Sequence, residues 1–332
     1  MSPLNENNNP SEPSASDGEQ GNLNKMQTRR DKILKSAEYE EAPTFPRVML
    51  IEISNICNHS CAFCAYSKMT RPHQTMAPAF FKRIMREAYD LGTRDVGLHA
   101  GTEPFACKHI VEFIAECKAI GYEYVYVTTN GSIPKKEKLK AAIDAGIDSL
   151  KFSINAGDAE TYAEIHGKPH FDRVLENVRF VSEYRKTLGR PFHLGASFIE
   201  VEENTASFAS MEEILLPLVD EIYRLPAGNQ SGQMSGGYSV VLPEICPLPF
   251  VNVNISVEGH LRACCNDYQN MLVVEDLNKV SLIDAWNGET YRELRRKHIE
   301  DRLEGTLCYD CVKDCHTKVA PIRPDLADWG QI

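Results

Sequence analysis

The sequence predicts an α/β protein whose larger part is a parallel sheet, followed by a smaller unit of β-hairpin and helix. Three observations carry this. From Val48 onward, short β-branched or apolar runs alternate with longer amphipathic stretches, which is the pattern of repeated β-α units. After Leu225 the alternation stops at a glycine-rich stretch, Pro226-Ala-Gly-Asn-Gln-Ser-Gly-Gln-Met-Ser-Gly-Gly237. Beyond it lie two strand-like runs joined by a Gly turn and a second group of cysteines. The expected divisions are a polar tail and lead-in at 1–46, the sheet at 47–225, a junction at 226–245 and the small unit at 246–332.

Taken in order, residues 5–24 are dominated by Asn, Ser, Glu, Pro and Gly and are expected to be disordered, because so few apolar groups cannot offset the entropy of ordering. The charged stretch 26–41 reads as a loose helix leading into Pro43 and Pro46. Strands are expected at 48–53, 95–99, 124–128, 149–154, 193–198 and 221–225. Helices fall between them at 78–91, 109–120, 135–145, 171–188 and 211–218. Ile110, Phe113, Ile114 and Cys117 recur at helical spacing, so Cys117 reads as a small buried apolar residue. The glycine-rich stretch has no helix after it, which argues against a phosphate loop and for a junction overlying the active site. Phe250-Val-Asn-Val-Asn-Ile255 alternates sides and Val257-Glu-Gly-His-Leu261 supplies a turn, giving a hairpin, with a helix at 291–297.

Composition excludes several classes. With 42% apolar and 25% charged residues in 332, the chain has room for one large domain and a small one. A formal charge of -11 argues against a nucleic-acid partner held by phosphate contacts. No apolar run reaches the roughly 18 residues of a membrane span, and the N-terminus lacks the apolar core of a signal peptide. Eleven cysteines in such a chain point to a reducing cytoplasm and metal thiolates rather than disulfides.

Directly after the first strand comes Cys57-Asn-His-Ser-Cys61-Ala-Phe-Cys64. Three thiols this close hold three irons of a [4Fe-4S] cube and leave the fourth open for chemistry. Zinc is the alternative, and the Cys57/Cys61 spacing suits it poorly. This pattern resembles the signature of the radical S-adenosylmethionine (SAM) superfamily. The resemblance implies that SAM chelates the open iron and that its one-electron cleavage yields a 5′-deoxyadenosyl radical. It also implies an open, partial (β/α)6 barrel, where periodicity alone would allow a flat doubly wound sheet. Further landmarks sit at strand ends, where such folds gather active residues. Gly101-Thr102-Glu103-Pro104 looks like the family's GGEP motif, with Thr102 where a second Gly is usual. Thr128 and Asn130, Ser153 and Asn155, and Ser197 match positions that face the SAM ribose, carboxylate or adenine. Phe63 matches an aromatic that shields cluster and adenine. An external one-electron donor such as flavodoxin or ferredoxin is implied.

The second group comprises Cys246, Cys264 after the Gly259 turn, and Cys308-Tyr-Asp-Cys311-Val-Lys-Asp-Cys315. A hairpin and a distant C-x2-C can converge four thiolates, and from spacing alone zinc is a serious rival here. The segment resembles the SPASM extension of radical SAM enzymes, or its shortened twitch form. Full SPASM holds two auxiliary clusters, and this chain has too few cysteines for that. The resemblance therefore implies one auxiliary [4Fe-4S] cluster on Cys246, Cys264, Cys308 and Cys311. Cys265 is an alternative to Cys264, since neighbours on a strand face opposite ways; the one facing away is a buried thiol or a hydrogen-atom donor. Cys315 is a spare ligand or a structural thiol.

Twitch-bearing relatives imply a polar small-molecule substrate, sugar or aminocyclitol in kind, most simply dehydrogenated with the electron passed to the auxiliary cluster; epimerisation and decarboxylation are the other outcomes. Candidates for the required base are His99, Tyr66, Arg224 and Asp267. The competing enzyme reading is a maturase that crosslinks a ribosomally made peptide. A non-enzymatic reading, an iron-sulfur electron carrier or zinc-structured scaffold, has no use for the strand-end landmarks.

Overall fold

The computed structural model describes residues 25–234 and 245–327. The expected disordered tail at 5–24 and the later part of the glycine-rich junction lie outside the described residues. The described chain opens with helix α1 (Lys25–Lys35) and runs β1 (Val48–Ile51), α2 (Pro78–Asp90), β2 (Asp95–Gly97), α3 (Ile110–Ile120), β3 (Tyr124–Thr129), α4 (Lys136–Asp144) and β4 (Ser149–Ser153). It continues through α5 (Ala159–His166), α6 (Phe171–Arg185), β5 (His193–Glu200), α7 (Phe208–Leu215) and β6 (Glu221–Pro226). The smaller unit adds α8 (Leu248–Val251), β7 (Asn252–Ile255), β8 (His260–Arg262), β9 (Val273–Asp276), α9 (Leu282–Trp286), α10 (Glu289–Ile299) and α11 (Leu307–Lys313).

Strands β1 to β6 pair in parallel in chain order, and β6 is an edge. This is the open six-stranded partial barrel. Each strand has two unlike faces because successive side chains alternate: on β3, Val125, Val127 and Thr129 are buried under the helices while Tyr124, Tyr126 and Thr128 line the inside. The helices obey the complementary spacing. Ile110, Phe113, Ile114 and Cys117 form the buried stripe of α3, which ends at Gly121 in the left-handed conformation. Helix α5 was not expected from the sequence; Asp158 caps it by accepting from the Thr161 amide.

The smaller unit is not a separate body. Strand β7 pairs in parallel with β1, and β8 and β9 follow antiparallel, so one nine-stranded sheet runs β6-β5-β4-β3-β2-β1-β7-β8-β9. One hydrophobic core extends from Met49 and Val96 of the barrel to Trp286, Tyr291 and Leu307 of the C-terminal helices. The lead-in before β1 is seated on those helices: Trp286 Nε1 donates to the Pro43 carbonyl at 3.0 Å and Arg295 to that of Glu41 at 3.0 Å. The boundaries expected at 46 and 246 therefore divide sequence motifs more than packed bodies. Among the described residues, no helix is long and apolar enough to cross a membrane.

Candidate active site and metal centres

The loop after β1 carries Cys57, Cys61 and Cys64 at the carboxyl end of the strand. Two devices hold it. Tyr66 accepts from the Cys57 amide at 2.8 Å and stacks on His73. Asn130 joins it to the loop after β3, donating to Asn58 Oδ1 at 2.8 Å and lying 4.0 Å from Cys57 Sγ. The three thiols converge: burial pushes Cys57 up to about 12 and raises Cys61, and the charges of the other cysteines add to both. Such a donor set favours a cation that takes up thiolates and relieves their repulsion. All three are free of disulfides, and the triad fits an iron-sulfur cluster with one open iron.

The strand-end landmarks come together around this loop. Glu103 is buried under it, and its carboxylate accepts from the Asn130 amide at 2.7 Å, the Phe105 amide at 2.9 Å and Thr129 Oγ1 at 2.8 Å. Burial still raises its pKa to about 7. Thr102 Oγ1 donates to the Ser54 carbonyl, tying the motif to the cluster loop. Pro104 follows in a short buried turn. Asn155 adopts φ 55 and is fully buried; its Oδ1 accepts from the Ile199 amide at 2.7 Å and its Nδ2 donates to Ser153 Oγ at 3.1 Å. Ser197 is the register partner of Ser153. Phe63 packs with Ile165, Val201 and Ala227 against Cys61 and Cys64.

Several residues here escaped the sequence reading. His59, Cys61 and His166 offer ligand atoms all within 4.8 Å of one another. His166 Nδ1 lies 3.3 Å from Cys61 Sγ, and His59 bridges to Ser132 and His170. Tyr268, four residues after Cys264, reaches back to place its hydroxyl 3.3 Å from Cys64 Sγ. Its ring lies on Gly101, where an added Cβ would meet the hydroxyl at 2.3 Å, so only glycine fits under it. The sequence signal for His59 was its position inside the cysteine motif; for His166 and Tyr268 there was none.

A second cavity, of about 330 Å³, is lined by Cys246, Cys264, Cys308 and Cys311 together with Phe63, Ser231 and His298. Burial raises Cys246 and Cys311 to about 12, and each of these thiols feels the charge of the others. Cys264 differs: the thiol of Cys265 donates to it and holds it at about 7. Ser231 Oγ lies 3.4 Å from Cys264 Sγ. Cys264 and Cys265 sit in the loop beyond β8, so strand alternation does not separate them. The cavities they line do: Cys265 opens onto a third cavity, of about 370 Å³ inside the barrel, with His99, Tyr126, Lys151, Tyr223 and Asn252. Cys315 Sγ lies 3.5 Å from Asp310 Oδ1, on the far side of α11.

Of the four candidates for a base, His99 alone lines the barrel cavity. Burial holds its ring neutral, at about 3, and Nδ1 accepts from the Thr128 amide at 3.3 Å. Tyr66 belongs to the cluster loop. Arg224 is exposed and paired with Glu200, because it alternates with the inward-facing Tyr223 on β6. Asp267 is buried with its carboxylate accepting from the amides of Gln269, Met271 and Leu272, which closes the loop between β8 and β9.

This arrangement, a three-cysteine loop atop a partial barrel and a four-cysteine cage beside it, has the donor sets of two iron-sulfur centres, the first with one position open. Residues 51–204 match the Radical SAM superfamily, and residues 246–312 match SPASM, an iron-sulfur cluster-binding domain. The chain belongs to the radical SAM superfamily and carries a C-terminal SPASM domain, with a SAM-binding [4Fe-4S] cluster and auxiliary iron-sulfur binding as its cofactor complement.

Among curated proteins it resembles a "Probable GTP 3′,8-cyclase" of Methanothermobacter marburgensis, 34% identical over 129 residues, or 39% of this chain and 41% of that one. A protein of the same name from Sulfurisphaera tokodaii is 25% identical over 52% of this chain and 53% of its own. The chain thus spans about two-fifths to half of the length of these relatives. Among solved structures, Streptococcus suis SuiB bound to precursor peptide SuiA aligns with TM-score 0.65 at 15% identity, covering 92% of this chain and 77% of that one. BtrN in complex with AdoMet and 2-DOIA aligns with TM-score 0.55 at 17% identity, covering 84% and 98%. Both likenesses are of fold.

Proposed function

We propose that the chain uses SAM-derived radical chemistry to dehydrogenate a polar small molecule, sugar or aminocyclitol in kind, held inside the barrel. The observation that carries this reading is the cavity beside Cys265. It is of small-molecule size and lined by a neutral histidine, a lysine, three tyrosines and two asparagines, groups that hydrogen-bond hydroxyls and amines. When bound, SAM and its cluster would supply a hydrogen-abstracting 5′-deoxyadenosyl radical, and a cluster on Cys246, Cys264, Cys308 and Cys311 would supply an acceptor for the electron left on the substrate.

The protein's own residues position and insulate. The Glu103 carboxylate fixes the loop after β3 against the motif at Gly101, where SAM is expected to lie. Asn130, Ser153 and Ser197 form the rim to which the nucleoside binds, and the buried Asn155 beneath them positions Ser153. Cys57, Cys61 and Cys64 hold the first cluster, and Cys246, Cys264, Cys308 and Cys311 the second. With Nδ1 accepting from the Thr128 amide, the neutral ring of His99 carries its proton on Nε2 and orients the substrate by donating to its oxygen or nitrogen.

The test is an anaerobic assay of reconstituted enzyme with SAM, dithionite and a panel of aminocyclitols and sugars, following 5′-deoxyadenosine and the oxidised product. Stoichiometric ketone formation with at least one member supports the reading. Release of 5′-deoxyadenosine with every member unchanged, and turnover of a peptide or nucleotide instead, would overturn it.

A further inference from the structure

We propose that His298 is a positioning residue for the auxiliary centre, its imidazole N–H donating to a sulfur of the group held by Cys246, Cys264, Cys308 and Cys311. The inference rests on that group being the iron-sulfur cluster assigned above.

His298 lies in the last turn of α10, in the wall of the four-cysteine cavity. It is 3% exposed, with an edge against Phe250 at 6.3 Å between centroids. Neither ring nitrogen has a hydrogen-bond partner among the described residues. Such orphans are rare in folded proteins, because a buried donor without an acceptor forfeits its hydration for nothing. Burial also lowers the ring's pKa, to about 4, so the imidazole is neutral and carries one N–H. The polar wall of that cavity consists of thiols, Asn229, Gln230, Ser231, Asn266 and this ring, and the side-chain oxygens of Gln230 and Asn266 already accept from Tyr268 and Cys265. Ser231 and Asn229 already have protein partners, Cys264 Sγ and the Cys311 carbonyl. The sulfurs of an occupant are therefore the acceptors available to His298.

A donor aimed at cluster sulfur stabilises the reduced, more negative state and moves the reduction potential upward. His298 would thus make the auxiliary centre a better acceptor for the electron that a dehydrogenation leaves behind. A purely structural histidine would have no such effect.

The experiment uses full-length protein with Cys57, Cys61 and Cys64 replaced by Ala, so that only the auxiliary signal remains. In that background His298→Leu and His298→Gln are reconstituted anaerobically and compared with the parent by iron content and by redox titration followed by electron paramagnetic resonance. The expected result is unchanged iron, a midpoint shifted to more negative potential in His298→Leu, and recovery of most of the shift in His298→Gln, whose amide still donates. Equal midpoints in all three proteins, or loss of iron in both variants, would overturn the proposal. A parent that binds no iron would overturn the auxiliary-cluster reading itself and this proposal with it.

Discussion

The Tyr268 hydroxyl lies 3.3 Å from Cys64 Sγ and donates to Gln230 Oε1 at 3.2 Å, while the next residue, Ser231, touches Cys264 Sγ. The glycine-rich junction thereby connects the two cysteine sites through Tyr268, Gln230 and Ser231. Both Gln230 and Ser231 adopt positive φ, 49° and 59°, which aims neighbouring side chains at different centres. Tyr268→Phe keeps the ring on Gly101 and removes only the hydroxyl. Because the hydroxyl hydrogen is committed to Gln230, the expected outcome is full iron content and a nearly unchanged potential of the SAM-binding cluster, measured by redox titration.

Gly101→Ala forces a methyl into the Tyr268 ring. Overpacking of this kind costs about 1–3 kcal/mol. The loss should shrink in the double variant with Tyr268→Ala, because the two residues share one contact. Denaturant titration of the four proteins of the cycle checks this.

Iron counting separates the two centres. Intact protein should bind about eight irons and the Cys57/Cys61/Cys64→Ala variant about four, for two clusters of the [4Fe-4S] type. Cys264→Ala should lose the auxiliary share, whereas Cys265→Ala, whose thiol faces the barrel cavity, should keep it. Zinc at one equivalent with iron for a single cluster would refute the assignment.

Arg71 is wholly buried and binds Glu52 at 2.8 Å, Glu258 at 2.8 Å and the Tyr268 carbonyl at 2.7 Å. It fastens the segment after the cluster loop to the β7–β8 turn. Arg71→Met strands two carboxylates and should destabilise the fold by about 3–5 kcal/mol in denaturant titration. Burial alone would raise Glu258, but the Arg71 charge prevails and holds it at about 2, below its ordinary 4.5. A depressed carboxyl stabilises the fold above the unfolded-state value and loses that contribution as pH falls through the folded one. Acid unfolding of apoprotein, followed by circular dichroism, should therefore carry a component between about pH 4.5 and 2 that Glu258→Gln lacks.

Substitution at the barrel strand ends should divide by facing. His99→Ala should lower product formation by about 10-fold, the worth of one hydrogen bond to the substrate, while leaving SAM binding intact. Arg224→Ala breaks an exposed pair with Glu200 and should leave turnover nearly unchanged.

The six barrel strands were legible in the sequence because each is a short apolar run between helices with a clear 3.6-residue stripe. The cysteine motifs were legible because metal ligation fixes spacing. Helix α5 was missed because Ala159–His166 is short and its stripe is weak, with Asp158 its only clear signal. Strand β9 was missed for the same reason, being four residues with one buried face too few to alternate. The parallel pairing of β7 with β1 could not be read at all: it joins residues 204 apart, such as Val48 and Asn252, and no local pattern encodes it. Tyr268 and His298 were invisible for a related reason, since each matters through what the chain brings near it.

That pairing has a consequence for handling the protein in pieces. A fragment ending at β6 would keep β1 paired with β2 but bare its other edge, from Val48 to Ile51, as a row of free amides and carbonyls. Fragments of that sort stick to one another, edge to edge. Expression of the barrel alone should give inclusion bodies, and the SAM-binding half is then only as soluble as its companion allows.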